Sequence, residues 1–309
     1  MTSLLRIPNT TLDVHPLYLG GNPFGWTADE AQSFAVLDAY VAAGGNFIDT
    51  ADVYSEWAPG NQGGESERII GNWMRARGNR DSLIIATKVA KLSTRRGLGR
   101  ANVLAAVDDS LRRLQTDHID LYYAHEDDQS VPLEEVLTTF AELIAAGKVR
   151  HIAASQYTAP RLAEAMRVAR ELGVPGYVGL QTEYNLMSRA YEQDLQQVCV
   201  DEGIACFPFY GLARGFLSGK YRAGVDVQSV RAGDVLSLYG NERGWTMVDV
   251  LGGIAARHGV SPSAVALEWL RRQPGVLAPL ASARTPEQLT ELMQPVDLTD
   301  EDVDLLRAI

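Results

Sequence analysis

The chain has few cysteines and no excess of positive charge. Cys199 and Cys206 are its only cysteines in 309 residues, which excludes a disulfide framework and a cysteine-based zinc cluster. We expect both thiols to be core residues of a protein in a reducing compartment. Lys and Arg number 28 against 39 Asp and Glu, so the formal net charge is −11. This balance argues against binding to nucleic acid or to an anionic membrane surface.

Long apolar runs are also absent. The first 20 residues lack the uninterrupted apolar stretch of a signal peptide, and no segment approaches the ~20 apolar residues of a membrane span. Hydrophobic residues still make up 46% of the chain, enough for a large core. No Pro/Ser-rich linker divides the sequence. We therefore expect one domain spanning residues 1–309 in a cytoplasmic protein, whose oligomeric state the sequence leaves open.

Eight short β-rich runs alternate with amphipathic stretches along the whole chain. The predicted strands are 17–21, 46–50, 82–89, 119–125, 149–155, 177–184, 204–210 and 276–282. The predicted helices include 28–44, 99–115, 132–148, 159–173 and 261–273, where apolar residues recur every three or four positions. Strict alternation indicates parallel strands joined by right-handed crossovers. Eight such units predict an α/β fold, the (β/α)8 TIM barrel.

Three details of this architecture stay open in the sequence. An open doubly wound sheet is the alternative fold, but "GLGRAN" (97–102) lacks the third glycine of a dinucleotide fingerprint. The last helix falls in either "PEQLTELM" or "TDEDVDLLRAI". Residues 211–244 are predicted to be irregular, and a loop that long inside a compact domain indicates a functional segment.

Ionisable side chains end three successive predicted strands. Asp49 ends the second strand and Tyr54 follows it, Lys88 ends the third, and His125 ends the fourth. Taken singly, Lys88 also fits a side chain that reaches solvent, and His125 a hydrogen-bonded rim residue. In a TIM barrel, however, the C-terminal strand ends meet at one rim, where active sites lie. The convergence therefore favours an active site.

The chemistry of the four groups is complementary. An ammonium beside a phenol lowers the phenol's pKa from its usual ~10, so we expect Lys88, oriented by Asp49, to act on Tyr54 in this way. His125 would donate a hydrogen bond to a carbonyl oxygen. No nucleophile motif and no HExxH zinc site is present, so we predict no metal. A proton donor of this kind needs a partner reaction such as hydride delivery.

Seven motifs in a fixed order carry a family resemblance. They are "GGNFIDTADVYS", "ATKV", "IDLYYAHEDD", "ASQYT", "LQTEYNLMSR", "FPFYGLARGFLSGKY" and "ARTPEQL". Over essentially the whole chain they resemble the aldo-keto reductases, in the branch of potassium-channel β-subunits and bacterial general-substrate enzymes. The resemblance implies that Asp49, Tyr54, Lys88 and His125 form the catalytic tetrad. It implies reduction of an aldehyde or ketone by NADPH, with Tyr54 protonating the oxygen.

The resemblance also implies a cleft for NADPH. Ser155, Gln156 and Gln181 would hydrogen-bond the nicotinamide carboxamide, Phe209 would stack on its ring, and Arg284 would hold the adenosine end. The other residues implied for the cofactor are Asn22, Asp49, Tyr210, Gly211, Leu212, Arg214, Gly215, Leu217, Gly219, Lys220, Arg231, Ser282 and Gln288. The sequence departs from the family pattern in three places: Gln156 replaces a frequent Asn, Ser282 a common Gly, and Leu292 an Asn that contacts adenine.

Aromatic residues near the same rim are candidates for the substrate pocket. Phe24, Trp26, Trp57 and Tyr123 lie in or beside the rim loops and are predicted to wall an apolar pocket, or else to pack on a neighbouring loop. The expected partner is a small carbonyl compound. An NADPH-binding regulatory or redox-sensing barrel of the potassium-channel β-subunit type remains the alternative function. A lyase or isomerase without nicotinamide would leave Arg284 without a role.

Overall fold

The computed structural model describes residues 3–227 and 232–309, so the predicted cofactor residue Arg231 lies outside the described residues. The strands are β1 (Leu5–Arg6), β2 (Asp13–Val14), β3 (Tyr18–Gly20), β4 (Phe47–Asp49), β5 (Ile84–Val89), β6 (Ile119–Ala124), β7 (Val149–Ser155), β8 (Gly179–Gln181), β9 (Ala205–Cys206) and β10 (Leu280–Ala281). The helices are α1 (Glu30–Ala42), α2 (Glu65–Arg77), α3 (Arg100–Leu114), α4 (Leu133–Ala145), α5 (Ala159–Leu172), α6 (Leu195–Glu202), α7 (Ala232–Tyr239), α8 (Glu242–His258), α9 (Pro262–Arg271), α10 (Pro286–Leu292) and α11 (Asp300–Arg307).

Strands β3 to β10 form one parallel sheet that closes on itself. The hydrogen-bonded order runs β10, β3, β4, β5, β6, β7, β8, β9. A parallel bridge between Cys206 and Val276 joins the two ends, and the amide of Leu280 donates to the carbonyl of Pro208 at 2.8 Å. The predicted TIM barrel is confirmed. Strands β9 and β10 are shorter than predicted because the adjoining Pro208 and Pro279 have no amide hydrogen to give to the ladder.

The alternation of side chains along the strands produces two separate cores. An inner cluster fills the barrel and includes Tyr18, Phe47, Tyr123 and Phe207. A larger outer cluster packs the other face of the strands against the helices. Both cysteines are free and buried, as expected. Within the described ranges, no helix has the length and apolar character needed to cross a bilayer.

Two features of the architecture were not predicted from the sequence. Strands β1 and β2 form an antiparallel hairpin before the barrel, and its residues Ile7, Leu12 and Val14 join the inner cluster and close the barrel at one end. Strands of two residues are too short to give a periodic signal. The prediction that 211–244 is irregular was wrong in its second half, since α7 and the start of α8 occupy it.

The α7–α8 region is stabilised by packing that the sequence pattern conceals. In the sequence, Gly233, Gly240 and Gly244 disfavour a helix because glycine has a low helix propensity. The side chain of Asn241 instead caps α8 by accepting from the amide of Gly244, and the ring of Phe216 packs 5.5 Å from those of both Tyr239 and Trp245. For the last helix, both alternatives form: α10 completes the eighth unit and α11 is an addition.

Candidate active site

A buried ion pair lies at the C-terminal rim of the barrel. Asp49 ends β4 and Lys88 lies one residue before the end of β5, and both are fully buried. Lys88 Nζ lies 2.7 Å from Asp49 Oδ1, 2.6 Å from Asp49 Oδ2 and 2.8 Å from the carbonyl oxygen of Thr50. Burial lowers the pKa of Lys88, while the Asp49 carboxylate acts in the opposite direction.

The phenol of Tyr54 is held between these two charges. Its hydroxyl donates to Asp49 Oδ2 at 2.9 Å and accepts from Lys88 Nζ at 2.8 Å. Burial raises the pKa of Tyr54 well above its ordinary value, and the Asp49 carboxylate raises it further. The net shift is therefore opposite to the lowering that we expected from Lys88, because burial and the Asp49 carboxylate outweigh the ammonium. Tyr54 holds its proton at neutral pH.

His125 lies directly after β6 beside Tyr54, with the two ring centroids 6.1 Å apart. Burial lowers the pKa of His125 well below its usual value, and the charges of Lys88 and Lys91 add to that effect. The imidazole is therefore neutral at pH 7 and has one N–H to donate. Within the described part of the chain, its buried Nδ1 has no hydrogen-bond partner.

Residues predicted for the nicotinamide end occupy the ends of the next strands. Ser155 ends β7 and is buried, whereas Gln156 is exposed and donates to the carbonyl oxygen of His125 at 3.2 Å. Gln181 ends β8, and its Nε2 donates to Asp49 Oδ1 at 2.7 Å, so it reaches into the tetrad. Phe209 is half-buried after β9, with its ring 5.1 Å from that of Tyr210.

The segment after β9 is built from unusual backbone. Tyr210, Ala213 and Arg214 have φ of +54°, +47° and +57°, and Gly215 and Gly219 are left-handed as well. The Arg214 guanidinium lies 4.3 Å from the centroid of the Tyr210 ring. Left-handed turns of this kind expose successive amide N–H groups, which bind anions. Leu217, like the adjacent Phe216, is buried in the outer core.

The predicted adenosine end follows β10. Ser282 donates to Asn22 Oδ1 at 2.5 Å, which ties the eighth barrel strand to the loop after the first. Gln288 accepts from the backbone amide of Arg284 at 3.0 Å and so orders that turn. The guanidinium of Arg284 is exposed and forms no ion pair with residues 3–227 or 232–309.

The four predicted pocket residues separate into two pairs. Trp26 and Trp57 lie at the surface, with ring centroids 5.6 Å apart and planes near perpendicular, and Trp57 is 49% exposed and 6.2 Å from Tyr54. Phe24 and Tyr123 are instead fully buried. Tyr123 lies level with Lys88 across the β5–β6 ladder, one layer below the mouth, where it is enclosed by the inner cluster.

The acidic run after β6 is held by internal partners. A cavity of about 540 Å³ is lined by Arg96, Gly97 and residues 126–130. Asp127 pairs with Arg161 at 3.0 Å, and Asp128 accepts from the amide of Leu98 at 2.8 Å. The carboxylates thus order the rim loops rather than present free charges.

Asp52 is a buried carboxyl within the motif "GGNFIDTADVYS", and no role for it was predicted from the sequence. It lies beneath the Tyr54 loop beside Glu67, and Oδ1 has no hydrogen-bond partner among the described residues. Burial raises the pKa of Asp52 to about 8, and the charge of Glu67 acts in the same direction. Burial of a loop carboxyl leaves no signal in a single sequence.

Comparison with known proteins agrees with this geometry. The model of the aldo/keto reductase family matches residues 16–309. The chain is similar to Protein tas of Escherichia coli, at 34% identity over 96% of this chain and 94% of the relative. It is 31% identical to norsolorinic acid reductase B of Aspergillus parasiticus, over 97% and 81% of the two chains. It is also 31% identical to aryl-alcohol dehydrogenase [NADP(+)] of Phanerodontia chrysosporium, over 94% and 81%.

Proposed function

This chain belongs to the aldo/keto reductase family of oxidoreductases, and we propose that it reduces an aldehyde or ketone to the alcohol with NADPH as cofactor. One observation carries the proposal: the Tyr54 hydroxyl contacts the Lys88 ammonium at 2.8 Å and the Asp49 carboxylate at 2.9 Å, on a ring that is only half-buried. A protonated phenol at the mouth, backed by a cation, is suited to protonating a carbonyl oxygen.

Each member of the tetrad has a separate part in this proposal. Tyr54 gives its proton to the carbonyl oxygen, and Lys88 stabilises the phenolate that remains. Asp49 holds Lys88 through both carboxylate oxygens, at 2.7 and 2.6 Å. His125 is neutral, so it donates one hydrogen bond to the carbonyl oxygen without competing as an acid. NADPH, when bound, supplies the hydride to the carbonyl carbon.

The donor set along the second half of the rim fits a nicotinamide dinucleotide. Phe209 offers a half-buried aromatic face, and Ser155 and Gln156 offer side chains that hydrogen-bond an amide. The left-handed turns from Tyr210 to Gly219 offer amide N–H groups to a pyrophosphate. Arg284, exposed and without an ion pair in the described residues, offers the fork that matches a 2′-phosphate and so favours NADPH over NADH.

The proposed substrate is a small carbonyl compound with an apolar body. The surface pair Trp26 and Trp57 lies beside Tyr54 and would wall its binding site. The two free, buried cysteines agree with a reducing compartment, which we take to be the cytoplasm.

An NADPH-oxidation assay against a panel of aldehydes and ketones tests the proposal. We expect turnover by the unmodified protein and a loss of roughly 10²–10⁴-fold in kcat for Tyr54→Phe, which removes the proton donor but keeps the ring. NADPH affinity, measured by fluorescence titration, should change little. Near-normal reduction of aldehydes or ketones by Tyr54→Phe would contradict the proposed mechanism. Tight NADPH binding with no turnover of any carbonyl would favour the regulatory barrel instead.

A further inference from the structure

Two tyrosines lie inside the barrel beside the buried part of the tetrad. Tyr18 belongs to β3 and Tyr123 to β6, and neither has any exposed surface. Their hydroxyl oxygens make no hydrogen bond of normal geometry with the described residues. A buried hydroxyl without a partner is unfavourable, so two of them side by side require an explanation.

The strand register places both residues close to the tetrad. Tyr18 precedes by two residues Gly20, which pairs with Asp49 across the β3–β4 ladder, and Tyr123 pairs with Lys88 across the β5–β6 ladder. Lys88 Nζ lies 5.8 Å from the centroid of the Tyr123 ring. The ring of Tyr18 stacks on that of Phe47 with centroids 3.6 Å apart, which fixes its direction.

Electrostatics agree with this placement. Burial raises the pKa of Tyr18 and of Tyr123 well above the ordinary value, and in both cases the negative charge of Asp49 raises the pKa further. Each hydroxyl is also a neighbour of the other, and Tyr123 neighbours Gln181. The Tyr18 hydroxyl therefore lies within reach of Asp49, and the Tyr123 hydroxyl within reach of Tyr18 and Gln181, although neither forms a hydrogen bond of normal geometry with the described residues.

The hydrogen bonds of Asp49 change when Tyr54 gives up its proton. In the resting state the carboxylate accepts from Lys88, Tyr54 and Gln181. A deprotonated Tyr54 no longer donates to Asp49, and its negative oxygen draws the Lys88 ammonium toward itself. Asp49 then loses Tyr54 as a donor and shares Lys88 with the phenolate, so of these three donors Gln181 alone stays undivided. At that moment a buried carboxylate needs new donors.

We propose that Tyr18 and Tyr123 are positioning residues whose hydroxyls act as reserve hydrogen-bond donors to Asp49 when Tyr54 transfers its proton. This inference rests on the proposed function. A donor used only after proton transfer stabilises the transition state and not the resting complex. Loss of either hydroxyl therefore lowers kcat and leaves substrate and cofactor binding unchanged.

The test compares Tyr18→Phe and Tyr123→Phe with the matched control Tyr122→Phe. Tyr122 is the neighbouring residue on β6, is equally buried and also has an unpartnered hydroxyl, but its ring lies in the outer core, 5.7 Å from Phe140. We expect roughly 3- to 30-fold lower single-turnover rates for each test variant, since a displaced catalytic group is costly. The control should keep its rate. KM and NADPH affinity should stay within about twofold, and the melting temperature should be equal or higher, because an unpartnered hydroxyl is removed.

A second arm separates support of Asp49 from general packing. In an Asp49→Asn background the carboxylate is gone, so adding Tyr123→Phe should cause no further loss of rate. An equal loss in both backgrounds would overturn the inference, as would normal rates in Tyr18→Phe and Tyr123→Phe of a protein that reduces carbonyls. Absence of carbonyl reduction by the unmodified protein would overturn the proposed function, and this inference with it.

Discussion

The two halves of the barrel rim are built on different principles. After β4, β5 and β6, side chains bond to one another: Lys88, Asp49 and Tyr54 form a closed set of contacts between 2.6 and 2.9 Å. After β9 and β10, most groups predicted for the cofactor are half-buried or exposed, and the Arg284 guanidinium has no ion pair in the described ranges. The catalytic half is assembled before any ligand arrives, whereas the second half is shaped to receive one.

Backbone strain follows the same division. Non-glycine residues with left-handed φ at the rim are Ser55, Ala90, Gln156, Tyr210, Ala213 and Arg214, and four of the six follow β7 or β9. Each such residue costs on the order of 1–2 kcal/mol. Strain of this kind persists where the surrounding structure imposes it, and it clusters at ligand sites. Loss of a side chain should therefore lower stability in the first half but only weaken binding in the second.

Lys88→Met should show the largest effect, because it removes the centre of the self-assembled half. Breaking a buried ion pair leaves Asp49 uncompensated, which costs roughly 3–5 kcal/mol of unfolding free energy. We also expect kcat to fall roughly 10²–10⁴-fold, as for Tyr54→Phe, since the phenolate loses its cation. Urea unfolding and single-turnover kinetics measure the two losses.

The double variant Lys88→Met with Tyr54→Phe sharpens this expectation. The two residues act as a unit, so the double variant should be hardly slower than either single one. A multiplicative loss would show that Lys88 and Tyr54 contribute independently. Unchanged stability in Lys88→Met would contradict the description of this half as a mutually supported set.

Arg284→Ala should have the next largest effect, and on binding alone. We expect NADPH affinity to fall roughly 10- to 100-fold, the value of a charge-assisted bidentate contact, with little change for NADH. Stability should be unaffected, because the guanidinium has no ion pair among the described residues. Isothermal titration measures the affinity for each cofactor, and a thermal melt measures the stability.

Arg75→Ala provides the matched control for Arg284→Ala. Arg75 is also exposed, but it lies near the C-terminal end of α2, on the side of the barrel opposite the rim. Its loss changes the net charge equally and should leave both cofactor affinities unchanged. Equal losses for NADPH and NADH in Arg284→Ala would remove this residue from the 2′-phosphate role.

The sequence predicts these two halves unequally well. Strand ends can be located from periodicity, so Asp49, Lys88 and His125 were correctly expected to share a rim. Depth inside the barrel cannot be read in the same way, because it depends on the stagger between strands. Tyr123 therefore seemed to wall the pocket, although it lies one layer below His125, level with Lys88. Helices α7 and α8 escaped prediction because aromatic packing by Phe216 outweighs their glycines.

Phe209→Ala should have the smallest effect and addresses the boundary between the halves. Its ring is half-buried, so it serves either as a platform for the nicotinamide or as part of the core below. If Phe209 is a platform, Phe209→Ala should lower NADPH affinity about 2- to 12-fold, which is the range of an aromatic stacking pair. Phe209→Tyr should then keep the affinity of the unmodified protein. A core residue would instead lower the melting temperature and leave affinity and turnover unchanged. That second outcome would show that Phe209 stabilises the barrel and does not belong to the half of the rim that receives the cofactor.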